Sequence, residues 1–173
     1  SDSFSRWEAG QTLCIRVIMG MIEELKAGGE AKVPALVVDA FRRLLTREGL
    51  DKALLSESLT LPSEAYLAEK METVDVDNIH AARKALKQHL ATSLRAEFEA
   101  IFNANQEEGE YTFDAKSVGR RALKNTSLGY LMALDDAAMT DRCFKQYEAA
   151  HNMSDVMAAL GNLADTNTEE RTK

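Results

Sequence analysis

Apolar residues recur along this chain at helical spacing, and strand-like alternation is almost absent. Trp7, Cys14, Ile18, Met21, Ile22 and Leu25 fall on one face of a first helix, which Ser5 and Glu8 would open as a capping box and Gly28-Gly29 would end. Pro34 suits the first turn of a second helix, whose stripe reads Leu36, Val37, Ala40, Phe41, Leu44 and Leu45 up to Gly49. These two helices are expected to pair antiparallel. Asp51 can cap a short helix bearing Leu54, Leu55 and Leu59, and Leu61-Pro62-Ser63 breaks it to start another with Tyr66, Leu67 and Met71.

The longest element follows. With Asp77 as its N-cap, Ala82, Leu86, Leu90, Leu94, Phe98 and Phe102 recur every fourth residue, with Ile79 and Ile101 beside them, a ladder that demands partners on more than one side. Asn105 to Glu110 reads as a surface loop, and Asp114 caps a helix carrying Val118, Ala122, Leu123, Tyr130, Leu131 and Leu134. Gly119 and Gly129 lie inside that helix, where each costs about 1 kcal/mol relative to alanine, so they are expected to admit a close neighbour. Two last helices, over 136–150 and 154–164, meet at His-Asn-Met-Ser-Asp with neither glycine nor proline between them. Two prolines, nine glycines and few β-branched runs complete an all-α picture: antiparallel helix pairs stacked in an irregular superhelix, an armadillo- or HEAT-like solenoid, as one domain over 1–173.

Charge and composition narrow the function. A net charge of −7 argues against a nucleic-acid partner, because phosphate binding draws on lysine and arginine. No apolar run approaches the roughly 18 to 20 residues that span a bilayer, and no signal peptide is evident, so a soluble, cytoplasmic chain with no membrane partner is expected. The two cysteines, Cys14 and Cys143, suit buried reduced thiols better than a disulfide or a cysteine zinc site.

Candidate chemistry is sparse. The zinc-peptidase word HExxH, which sets two histidines on one helical face, does not occur. His80 and His89 are nine residues apart, so on a helix they project roughly 180° apart. His151 and Asp155 are the remaining histidine–carboxylate pair at i, i+4, yet a helix junction separates them and no third ligand is evident. Asn152 or Ser154 is expected to cap the last helix, with Asp155 favourable in its first turn. Asp75/Asp77 and Asp135/Asp136 read as caps before they read as acid–base pairs. Neither a G-x-S-x-G elbow nor a Cys/His signature is present. Lys116, Arg120 and Lys124, with Arg121 beside them, make one basic stripe, read as a solvated or salt-bridged face with an anion as the alternative. No residue is assigned a catalytic, cofactor-binding or metal-binding role.

Four stretches together carry a resemblance: DSFSRWEAGQTL, LTLPSEAYLAEKMETVDVDNIHAARKALKQHLATSL, FNANQEEGEYTFDAKSVGRRALKN and QYEAAHNMSDVMAAL. They resemble the opening part of the C-terminal helical domain of bacterial aminopeptidase N, the gluzincin zinc aminopeptidases. The resemblance implies an enzyme with an N-terminal β domain, a thermolysin-like catalytic domain, a small β-sandwich and this helical domain. It also implies one zinc ion, held in the catalytic domain, and removal of N-terminal residues from peptide substrates. None of the family's zinc ligands or catalytic groups falls on a position of this chain, so on its own it is expected to hold no cofactor, bind no zinc and cleave nothing. Its expected partners are the catalytic and β-sandwich domains of the same polypeptide, and its expected role is to enclose the catalytic chamber. A start at Ser-Asp-Ser-Phe without methionine fits a piece of something larger. The alternative is a stand-alone helical-repeat adaptor that grips a partner peptide in a groove.

Overall fold

A computed structural model describes residues 3–168, and among these every regular element is a helix. The order is α1 (Ser3–Lys26), α2 (Ala35–Leu45), α3 (Lys52–Leu59), α4 (Glu64–Glu69), α5 (Val76–Ser93), α6 (Arg95–Ala104), α7 (Ala115–Met132), α8 (Ala137–Ala149) and α9 (Met153–Ala164).

Short polar side chains set most helix starts. Asp51 accepts from the Leu54 N–H at 2.9 Å, Ser63 from Tyr66 at 3.1 Å and Asp114 from Ser117 at 2.9 Å, so each satisfies a first-turn donor that the helix itself leaves free. Two starts differ from expectation. α1 is already helical at Ser3, so Ser5 and Glu8 lie inside it and form no capping box. α5 is capped by Asp75, which takes both the backbone N–H of Asn78 at 3.1 Å and its side-chain amide at 2.8 Å, leaving Asp77 as a favourable first-turn charge. Pro34 stands at the N-cap of α2, one residue ahead of the first turn.

One hydrophobic core runs through the chain from Cys14 on α1 to Leu163 on α9. The every-fourth-residue ladder is its spine: Ala82, Leu86, Leu90, Leu94 and Phe98 are sealed from solvent, and Phe102 nearly so. The ladder spans two helices, because the backbone turns at Leu94 (φ −124°, ψ 24°). Thr92, whose hydroxyl donates back to the Gln88 carbonyl at 2.9 Å, supplies a back-bond of the kind that bends helices just before the turn. On α2 the buried face is Val37, Val38, Phe41 and Leu45, and Leu36 points to solvent, 65% exposed, against expectation.

Neighbours in sequence are not always neighbours in space. α1 packs chiefly on α5 and α3, not on α2, which instead lies against α3, α6 and α5. α7 is the hub, with α3, α5, α6, α8 and α9 all packed on it. Gly119 makes the α3–α7 contact possible: a Cβ there would sit 3.1 Å from the backbone nitrogen of Ala53. Gly129 has no such backbone neighbour; its nearest atom would be the Lys87 Nζ at 3.6 Å. Tyr130, also on α7, stacks on Phe98 with ring centroids 4.4 Å apart and donates its hydroxyl to the Leu59 carbonyl, joining the ends of α3 and α6 through one side chain. The result is an all-α stack of helix pairs, irregular because one helix serves several neighbours. Among the described residues no helix is long and apolar enough to cross a membrane.

Candidate functional site: a buried charged corner

The basic stripe of α7 divides when folded. Lys116 is exposed and Arg120 half-buried, but Arg121 and Lys124 are each only 3% exposed. Such burial demands partners, and both have them. Arg121 pairs with Glu107 at 2.6 Å, donates to the Thr112 carbonyl at 3.0 Å and lies 4.7 Å from the Tyr111 ring, pinning the α6–α7 loop onto α7. Lys124 pairs with Asp155 at 2.6 Å. The salt-bridged reading of the stripe therefore holds for its inner half, with both pairs internal to the chain.

Asp155 is the centre of the α8–α9 junction. One carboxylate oxygen accepts from Lys124 Nζ and from Asn152 Nδ2 at 2.9 Å; the other accepts from Asn125 Nδ2 at 2.8 Å. Asn152 closes the loop by capping the Asp155 backbone N–H at 2.9 Å. Ionised carboxylates only accept, which fixes the remaining amides in turn. Asn125 must aim its NH2 at Asp155, so its oxygen faces Gln146 Nε2, 2.9 Å away, and Gln146 also donates to the Asp155 carbonyl at 3.1 Å. The Gln146 oxygen is thereby turned the other way, buried and without a donor among the described residues.

Burial pushes the Asp155 carboxyl up, but hydrogen bonds from Lys124, Asn152 and Asn125, together with the Lys124 charge, outweigh it and leave the group more acidic than usual. A carboxylate so committed is a poor general base and a poor metal ligand, since its lone pairs are taken. His151 is exposed at the same corner. His80 is bound to Glu64 at 2.8 Å across α5 and α4, and His89 stands exposed elsewhere on α5. Among the described residues no three His, Cys, Asp or Glu side chains gather where they could hold a metal ion.

The other candidates resolve as structure. Asp75 and Asp136 cap α5 and α8, each made more acidic first by hydrogen bonds from the first turn it caps. Asp135 adopts φ 53° at the turn before α8. Cys14 and Cys143 are buried free thiols pushed up to about 11 by burial, the opposite of an activated nucleophile. The Lys124–Asp155 pair escapes sequence reasoning: 31 residues separate the partners, and only Asn152, the cap, carries a local signal.

Residues 1–173 match the family described as "Domain of unknown function (DUF3458_C) ARM repeats". The chain is 38% identical over 160 residues to aminopeptidase N of Escherichia coli (strain K12), covering 92% of this chain and 18% of that protein. With aminopeptidase N of Caulobacter vibrioides it is 35% identical over 164 residues, again 92% of this chain and 18% of the relative. Among solved structures it superposes on Legionella pneumophila aminopeptidase A, crystallised in complex with aspartic acid, with a TM-score of 0.83 and 26% identity, over 99% of this chain and 21% of that one. The chain thus spans under a fifth of the length of the curated relatives it matches. It belongs to the DUF3458_C family of ARM-repeat domains, and what it has in common with aminopeptidase N is a helical portion of the size of a single domain.

Proposed function

We propose that this chain is part of the C-terminal helical domain of a cytoplasmic zinc aminopeptidase, where it encloses the catalytic chamber and packs on the catalytic and β-sandwich domains of the same polypeptide. The larger enzyme removes N-terminal residues from peptides and carries one zinc ion in its catalytic domain. This chain supplies no catalytic residue, zinc ligand or cofactor site. The observation that carries the reading is the match to aminopeptidase N along 92% of the chain but 18% of the relative.

The surface of α9 supports a packing role. Met153, Met157 and Leu160 are 71%, 56% and 45% exposed along one stripe, while the one charged residue of the helix, Asp155, is turned inward. An uncharged outer face on a repeat helix is suited to stacking against more protein.

Two measurements test the proposal. The gene upstream of Ser1 should encode HExxH and the GxMEN word that the resemblance to aminopeptidase N implies for the catalytic domain; a start codon just before Ser1 would favour the adaptor. The 173-residue chain should release no arylamine from aminoacyl-arylamides and retain no zinc after dialysis, and stoichiometric zinc or cleavage would overturn the assignment.

A further inference from the structure

The inner half of the α7 basic stripe is paired, and its outer half is not. Lys116 and Arg120 lie about 60° and 100° round the helix from Gly119, on the same side of it. Gly119 marks the close approach of α3: a Cβ there would meet the Ala53 backbone nitrogen at 3.1 Å and the Lys52 Cβ at 3.5 Å. Lys116 and Arg120 therefore border the α3–α7 seam at the point where Lys52 leaves α3.

Three cations from two helices gather there. Lys52 is half-buried, and its ammonium donates to the Asn105 Oδ1 at 2.6 Å. Asn105 is itself anchored by its Nδ2, which donates to the Ile101 carbonyl at 2.7 Å, so Lys52 is held in a fixed direction by a neutral acceptor. Arg120 is half-buried with its Nε shut in and lacking an acceptor, and Lys116 is exposed. Among the described residues none of the three forms an ion pair, whereas Arg121 and Lys124 on the same helix each have one. Acids are not scarce: the chain has 28 aspartates and glutamates against 21 lysines and arginines, and none is placed at this seam to pair with them. Burial first, and then the charges of Arg120 and Lys116, hold the Lys52 ammonium below its usual value. A negative charge set among the three would relieve that repulsion and accept charge-assisted hydrogen bonds from each.

We propose that the α3–α7 seam at Lys52, Lys116 and Arg120 binds a small, multiply charged oxyanion, either inorganic phosphate or the phosphoryl group of a small metabolite. Its oxygens accept from the two ammonium groups and from the terminal nitrogens of the Arg120 guanidinium. The site is independent of the peptidase reading, because it uses only groups of this chain.

Titration of the ¹⁵N-labelled 173-residue chain with sodium phosphate at neutral pH, with ionic strength held constant by chloride, tests it. Saturable shifts should appear at the backbone amides of 52–54 and 116–121. Lys116→Gln and Arg120→Gln should each weaken binding about threefold, and the double variant about tenfold. Lys116 is exposed, so Lys116→Gln serves if Arg120→Gln fails to fold. Glycerol 3-phosphate binding about as tightly as phosphate would identify a phosphorylated metabolite as the ligand, and much weaker binding would identify the free ion. No saturation at about 50 mM, well above the millimolar Kd that a few such contacts would give, would overturn the proposal. So would equal binding of monovalent nitrate, or unchanged affinity in the folded variants.

Discussion

Lys124 and Asp155 meet at 2.6 Å with side chains only 4% and 6% exposed, so the contact between α7 and α9 is a charge pair shut inside a helical stack. Two such charges are stable there only together. Removing one strands the other in the interior, at a cost of about 3 to 5 kcal/mol. Lys124→Met and Asp155→Leu are each expected to lower unfolding free energy by an amount of that order, and the double variant by clearly less than the sum. Urea unfolding of the four proteins in a double-mutant cycle measures the difference; additive losses would mean the pair is not coupled.

The same carboxylate sets an acid dependence. Its folded pKa lies below the unfolded value of about 3.9, so the stability it contributes is present above that pH and is lost as pH falls through the folded pKa. Asp155→Asn, which cannot titrate, is expected to be less stable than the parent at neutral pH and to close part of that gap below about pH 4. Urea midpoints for both proteins across that range check the sign.

Much of the fold is legible because it is local. Asp51, Ser63 and Asp114 were readable as helix starts from residue type and position, and the ladder from Ala82 to Phe102 from its period. What the local pattern leaves open depends on tertiary context. Spacing places Lys116, Arg120 and Lys124 on one face without saying whether that face is wet, and the burial of Lys124 comes from a partner 31 residues away. Nor can the period of α1 reveal that it packs on α5 and not on its sequence neighbour α2. The turn at Leu94 hides inside an unbroken apolar repeat, because the hydrogen bonds from Leu94 to Leu90 and from Phe98 to Leu94 still run in helical register.

At the α8–α9 corner the two candidate caps separate cleanly. Asn152 caps the Asp155 N–H and donates to its carboxylate, whereas Ser154 is exposed with no side-chain hydrogen bond among the described residues. Asn152→Ala is expected to cost about 1 to 2 kcal/mol and Ser154→Ala close to nothing. Thermal melts distinguish them, and an equal loss in both would reassign the cap.

The thiols predict an alkaline counterpart. Cys14 and Cys143 are raised by burial to about 11, so their contribution to stability is whole below the unfolded thiol pKa of about 8.5 and drains away as pH climbs through the folded value. Tyr130, pushed up by burial as well, adds to the loss at still higher pH. Cys14→Ala/Cys143→Ala should lose less stability than the parent between about pH 8.5 and 11. In the parent at neutral pH, Ellman's reagent should react with neither thiol faster than the protein opens, and rapid stoichiometric labelling would contradict their burial.

The two glycines of α7 should respond in opposite directions to the same substitution. Alanine gains about 1 kcal/mol of helix propensity over glycine wherever its methyl fits. At Gly129 the nearest atom to the new Cβ is the mobile tip of Lys87 at 3.6 Å, so Gly129→Ala is expected to raise stability by up to that amount. At Gly119 the new Cβ meets the Ala53 backbone nitrogen at 3.1 Å, and backbone cannot swing aside as a lysine tip can. Gly119→Ala must push α3 off α7, at an overpacking cost of about 1 to 3 kcal/mol that outweighs the propensity gain. Chemical denaturation of both variants reads the signs directly. Stabilisation by Gly119→Ala would show that the α3–α7 contact is loose enough to admit a methyl group.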